Sequence, residues 1–119
     1  MILKKFIIGI FLSVLSFTAA SAQESYNRLI FEGNKSFNQK DFETSSTKFR
    51  EAAKLKNQDF ASHYNLANAL YKSEKYEEAK AEYELAKKYA QTDADRMASS
   101  YNLGNVYMKT NQPEKAAEF

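Results

Sequence analysis

The chain has 119 residues, with 17 Lys and Arg against 15 Asp and Glu, a single His and no Cys. That length allows one small domain or a short repeat array. The missing Cys excludes disulfides and an acylated cysteine, and a lone His without Cys cannot build a metal site of the usual ligand spacing.

Residues 1–22 read as a leader. Lys4 and Lys5 are followed by the apolar run Phe6 to Phe17, and Ala20-Ser21-Ala22 then offers small side chains where a signal peptidase needs them. The run is short of the roughly 20 apolar residues that span a bilayer. A cleaved secretory signal ending at Ala22 is therefore expected, without lipidation. Removing it removes Lys4 and Lys5, leaving 15 basic residues against 15 acidic ones. The net positive charge thus belongs to the leader, and a neutral, mixed-sign surface gives no reason to expect nucleic acid or anionic lipid as a partner.

From Gln23 onward the chain contains one Pro and two Gly, and no window alternates with period two. The fold class expected is all-α, with helices at about 25–38, 42–56, 59–72, 75–90, 94–109 and from 113 to the end. Asp41 and Asp59 are candidate N-caps, and Pro113 suits a first helical turn. Tyr64-Asn65-Leu66-Ala67-Asn68 recurs as Tyr101-Asn102-Leu103-Gly104-Asn105, and a diverged copy starts at Gly33-Asn34. Second helices open at Asp41-Phe42-Glu43 and Lys75-Tyr76-Glu77-Glu78-Ala79, and Phe49…Ala52 returns as Tyr83…Ala86. Spacings of 34 and 37 residues in a helical chain mean stacked hairpins. The three extra residues in the second interval either lengthen a connection or add a helical turn.

With small residues at the crossings and aromatics beside them, these motifs resemble the tetratricopeptide repeat (TPR). The resemblance covers residues 23–119, as repeats at about 26–59, 60–93 and 97–119, the last incomplete. The first copy departs from the pattern at Glu32, usually Leu, and at Ser45, usually Ala. The resemblance implies a right-handed solenoid of antiparallel helix pairs whose first helices line a concave groove. Phe119 falls inside a second helix, so the sequence reads as part of a longer protein.

No catalytic constellation is expected. His63 lies at a core-edge position and reads as packing. Glu77, Glu78, Glu82 and Glu84, interleaved with Lys75, Lys80, Lys87 and Lys88, read as a solvated face with i,i+4 pairing. Phe42, Phe49, Tyr76 and Tyr83 read as packing between helices. The informative residues are Asn34, Asn68 and Asn105, at one place in three successive first helices, with Asn65 and Asn102 one turn earlier. An amide both donates and accepts, so an Asn ladder can hold an extended backbone without reading its sequence. Tyr64, Tyr71, Tyr101 and Met108 are the adjacent apolar contacts. TPRs that clamp a chaperone tail carry Lys and Arg on this face. Here the corresponding places hold Ile30 and Ala98, so that mode is not expected.

The functional expectation is an exported scaffold, not an enzyme, that binds a partner protein or extended peptide in the Asn-lined groove. No cofactor, metal or nucleic acid is expected, and no membrane insertion after signal cleavage. The leader, with Glu32-Gly33-Asn34-Lys35 and Tyr101-Asn102-Leu103-Gly104-Asn105, is similar to the TPR proteins of bacterial aerotolerance (Bat) operons. That likeness implies a periplasmic setting, in cell-envelope complexes with membrane proteins carrying von Willebrand-type domains. Two alternatives stand beside it: self-assembly through an uncapped last hairpin, and an activity carried beyond Phe119.

Overall fold

The computed structural model describes residues 2–118. Met1 and Phe119 lie outside the described residues, as do the side chains of residues 2–13, Leu15 and Pro113. Much of the expected leader, including Lys4 and Lys5, therefore goes without side-chain description.

Six helices follow one another: α1 (Ile2–Asn38), α2 (Phe42–Leu55), α3 (Phe60–Lys72), α4 (Tyr76–Tyr89), α5 (Asp93–Lys109) and α6 (Pro113–Ala116). No strand occurs among the described residues. The expected starts and ends of α2 to α5 hold to within one residue. The first helix does not begin near residue 25 but runs unbroken from Ile2, straight through residues 22 and 23. Nothing in that stretch stops a helix: it holds no Pro, and Gly9 is its one Gly before Gly33. At 1.5 Å per residue, its 37 residues span about 55 Å, which accounts for much of the 68 Å long axis.

The helices pair as hairpins, α1 with α2, α3 with α4 and α5 with α6, and the hairpins stack through α2 on α3 and α4 on α5. The caps are local chemistry. Asp41 accepts from the Thr44 amide and Asp59 from the Ser62 amide, and the Thr44 hydrogen bond holds the Asp41 carboxyl below its ordinary range. Thr92 does the same for α5 by accepting from the Asp95 amide. The 37-residue interval is settled by helix length. Helix α5 has 17 residues where α3 has 13, while the connection before it is no longer than the one before α3. One extra turn at the start of α5 is the insertion.

Each hairpin turns through the same bend. Lys40, Glu74 and Asn111 adopt positive φ of 61°, 62° and 60°. The next residue's amide then bonds back across the helix end: Asp41 to Ser36 O at 2.9 Å, Lys75 to Leu70 O at 2.9 Å, and Gln112 to Tyr107 O at 2.8 Å. This pattern satisfies carbonyls left free at a helix C-terminus.

Phe49, Leu66, Ala67, Leu70, Ala79, Tyr83, Leu103 and Val106 form a continuous core along the stack. Small residues set how closely the paired helices cross. A Cβ on Gly33 would stand 2.6 Å from the Phe49 ring, closer than real contacts allow. Ser45 is fully buried, and its hydroxyl donates to the Gly33 carbonyl at 2.9 Å. That bond explains why a polar residue occupies the place of Ala79 in the first hairpin: a buried hydroxyl is tolerated when it has an acceptor.

Candidate functional site

The first helices α1, α3 and α5 share one open face, because the second helices stack on their other side. The repeat spacing puts rows of equivalent residues across that face: Ile30, Tyr64, Tyr101; then Phe31, Asn65, Asn102; Asn34, Asn68, Asn105; and Phe37, Tyr71, Met108. The rows that begin at Phe31, Asn34 and Phe37 are three residues apart, so they stay on one helical face, and the Ile30 row lies beside the first of them.

The structure brings Asn34, Asn65 and Asn68 together around a recess of about 100 Å³ whose walls are Phe37 and Phe49. Asn34 is exposed and Asn65 half-buried. Asn68 is partly committed: its Oδ1 accepts from the Tyr83 hydroxyl at 2.5 Å. Burial raises the pKa of that phenol, which keeps it a neutral donor. Asn102 donates through Nδ2 to the Tyr64 hydroxyl at 2.9 Å, and Asn105 donates to Asn102 Oδ1 at 3.4 Å. The ladder therefore has two kinds of member. Asn34 and Asn65 face the opening, while Asn68 and Asn102 also fasten neighbouring helices.

The tyrosines divide in the same way. Tyr64 packs edge-on against Tyr83 and stacks on Phe60, and Tyr71 packs edge-on against Tyr76. Both are half-buried against the core. Tyr101 is 71% exposed, and Phe31 and Met108 are 68% and 58% exposed. Phe31 was not singled out from the sequence, although its spacing of 34 residues from Asn65 marks it as a member of the row. Tyr101 also borders a shallow recess of about 550 Å³ with Asp93, Arg96, Met97 and Ser100, where the extra turn of α5 meets the rest of the helix.

The polar chemistry elsewhere is structural. His63 is buried, with Nδ1 2.6 Å from Glu82 Oε2 and Nε2 2.6 Å from the Asn57 carbonyl, and it stacks on Tyr89. Both partners accept, so the ring meets both fully only with a proton on each nitrogen. Glu82 is accordingly not part of a solvated face. It is drawn in beneath His63, at 21% side-chain exposure. Its neighbours do face solvent, with Lys80 pairing with Glu77 at i,i+3, and Arg50 and Lys75 bridging helices to Glu78 and Glu43. Among the described residues no group of three or more His, Asp or Glu stands together as a metal site. None of the described helices is long and apolar enough to cross a membrane.

Stacked antiparallel hairpins with an amide-lined inner face define a helical-repeat scaffold. Residues 60–93 and 98–119 match the family model described as the tetratricopeptide repeat, and the chain folds as a TPR helical-hairpin solenoid. Among solved structures, a chain of the CopN-Scc3 complex superposes with a TM-score of 0.71 at 22% identity, over 89% of this chain and 58% of that one. The N-terminal domain of stress-induced protein-1 (STI-1) from C. elegans gives 0.72 at 22% identity, over 82% of this chain and 80% of that one. At this identity the likeness is one of fold. No curated protein matches the chain.

Proposed function

We propose that the chain is an exported protein-interaction scaffold that holds an extended segment of a partner protein across its Asn-lined groove, within a bacterial cell-envelope complex. One observation carries the reading. Asn34 and Asn65 line one recess with Asn68, Phe37 and Phe49, and the carboxamides of Asn34 and Asn65 make no hydrogen bond to any other described residue. Carboxamides placed so can both donate to and accept from a peptide backbone. The leader-like N-terminus and the likeness to aerotolerance-operon TPR proteins support export and the envelope setting. A non-catalytic role accords with His63, whose two nitrogens are already engaged.

The test uses the two amides free of internal duty. Asn34→Ala with Asn65→Ala should abolish capture of envelope proteins from a membrane-fraction pull-down while leaving the circular dichroism spectrum unchanged. Unchanged capture would sink the groove assignment. For export, mass spectrometry of the periplasmic protein should find Gln23 at its N-terminus, and Met1 there would contradict cleavage.

Self-assembly is the second reading, and it rests on Met97, Tyr101 and Met108, which stand exposed on α5. Their equivalents Phe60, Tyr64 and Tyr71 are half-buried on α3. The other end of the array is a poor mate for them. The places on α1 that correspond to Leu66 and Ala69 hold Glu32 and Lys35, with Glu32 paired to Lys48 at 3.2 Å. Light scattering on the chain should therefore report a monomer.

A further inference from the structure

Ser25 stands 34 residues before Asp59, the N-cap of α3, just as Tyr26 stands 34 residues before Phe60. The repeat thus marks Ser25 as the cap of the first repeat helix, and Ser is among the residues best suited to that place. Burial draws the same line. Residues 16–24 are all exposed, whereas Ser25 and Tyr26 are half-buried. Tyr26 also fastens α1 to the connection between α2 and α3: its hydroxyl reaches Asp59 at 3.2 Å, and Lys56 lies 4.1 Å over its ring.

Cutting α1 after Ala22 changes what its start can hold. In the unbroken helix, the amides of residues 23–26 donate to carbonyls four residues back, on residues 19–22. Those acceptors leave with the leader. The new chain end then places Gln23 and Glu24, both exposed, ahead of the Ser25 cap. In the intact helix the Gln23 side chain is held locally, with Nε2 donating to Asn27 Oδ1 at 2.9 Å. That bond depends on the i,i+4 spacing of a helix, which residue 23 loses once it lies outside the cap.

A glutamine with a free α-amine holds a nucleophile and a carbonyl carbon at the spacing of a five-membered ring. An α-amine titrates at about 7.7–8.0, so an unprotonated fraction exists at neutral pH without a neighbouring base. Its nitrogen attacks Cδ. The N–Cδ bond forms as the Cδ–Nε2 bond breaks, and a proton from the attacking nitrogen leaves with Nε2 as ammonia. No oxidant, cofactor or second substrate enters.

We propose that Gln23 is a modification site, closing to pyroglutamate once the leader is removed and giving the exported chain a neutral start without a free amine. This rests on the reading of residues 1–22 as a cleaved signal. Aminopeptidases engage a free α-amine, so the lactam protects the residues that cap the repeat helix and tie it to Asp59.

The test expresses the chain with its leader in a bacterial host, then weighs the exported protein intact and sequences it by Edman degradation. Its mass should fall one ammonia below that of a chain starting at Gln23. Edman degradation should be blocked until pyroglutamyl peptidase is added, and should then open at Glu24. Gln23→Asn is the control, because the same attack would have to close a strained four-membered ring. That variant should sequence at once, and an aminopeptidase should shorten it while leaving the unsubstituted chain whole. A Gln23 amine that stays open through prolonged incubation at neutral pH would overturn the proposal, as would trimming of the unsubstituted chain. An open Gln23 leaves the leader reading standing. A retained Met1 is a different failure, in which the leader reading falls and takes the modification with it.

Discussion

Three buried serines show how one residue type takes its energetic sign from what it faces. Ser45 donates to Gly33 O, and Ser62 bonds Asp59 and the Tyr26 hydroxyl. Ser99 is fully buried, and its hydroxyl has no hydrogen-bond partner among the described residues. The repeat explains the orphan. Ser99 stands 37 residues after Ser62, but the place of Tyr26, which Ser62 meets in the preceding hairpin, is held one repeat on by Phe60, which has no hydroxyl. Where Asp59 precedes Ser62 by three residues, Arg96 precedes Ser99. Ser99→Ala should therefore stabilise the chain by about 1 kcal/mol and Ser45→Ala should destabilise it by about the same. Urea unfolding midpoints at constant m-value would read both, and a loss in Ser99→Ala would mean that the hydroxyl has an acceptor. Gly33→Ala is a harsher change at the same crossing. Its methyl meets the buried Phe49 ring, so overpacking should cost about 1–3 kcal/mol.

At the scale of the element, most of the fold was legible in the sequence and the exceptions have physical causes. Capping aspartates and the 34-residue period located α2 to α5, because both are written in residue type and spacing. The start of α1 was not legible, since apolar leader and repeat helix share the same helical propensity. The extra turn of α5 was one of two open readings, because Gln91 to Asp95 are polar and suit a connection as well as a helix start. The bends were missed for the opposite reason: Lys40 and Glu74 carry no turn signal, yet both take positive φ. The surrounding hydrogen bonds impose it, at a cost near 1–2 kcal/mol for a residue with a Cβ. Glu74→Gly should therefore raise the unfolding free energy by up to about 1 kcal/mol. Asn111→Gly, at a residue that tolerates this region, should raise it less. Equal gains at the two sites would show that backbone strain is not what distinguishes them. In the candidate site the Asn rows were legible from periodicity. Their division between open and engaged members was not, because Tyr83 and Tyr64 reach them from other helices.

Across the whole molecule, each hairpin touches only its neighbours, so stability is close to a sum of hairpin and seam contributions. The two seams differ. Between the first and second hairpins, the Tyr26 hydroxyl donates to Asp59 Oδ2 at 3.2 Å, Ser62 joins the cluster, and Lys56 lies 4.1 Å over the Tyr26 ring. His63 adds a second tie from the same α3 start to α4 and the preceding connection. Between the second and third hairpins, Asn102 donates to the Tyr64 hydroxyl on the open face, and Lys80 lies 5.9 Å over the Tyr107 ring. Loosening the first seam should therefore leave the second intact. Tyr26→Phe removes one hydroxyl while Asp59 and Ser62 keep each other, a loss of about 0.5–1.5 kcal/mol. Hydrogen exchange should show that loss as faster exchange in α2 and the repeat portion of α1, with α5 unchanged. Asn102→Ala should reverse the pattern, speeding α5 and sparing α2, and it alone should disturb the groove. Uniform acceleration throughout in either variant would mean that the array unfolds as one unit and that its seams are not separable.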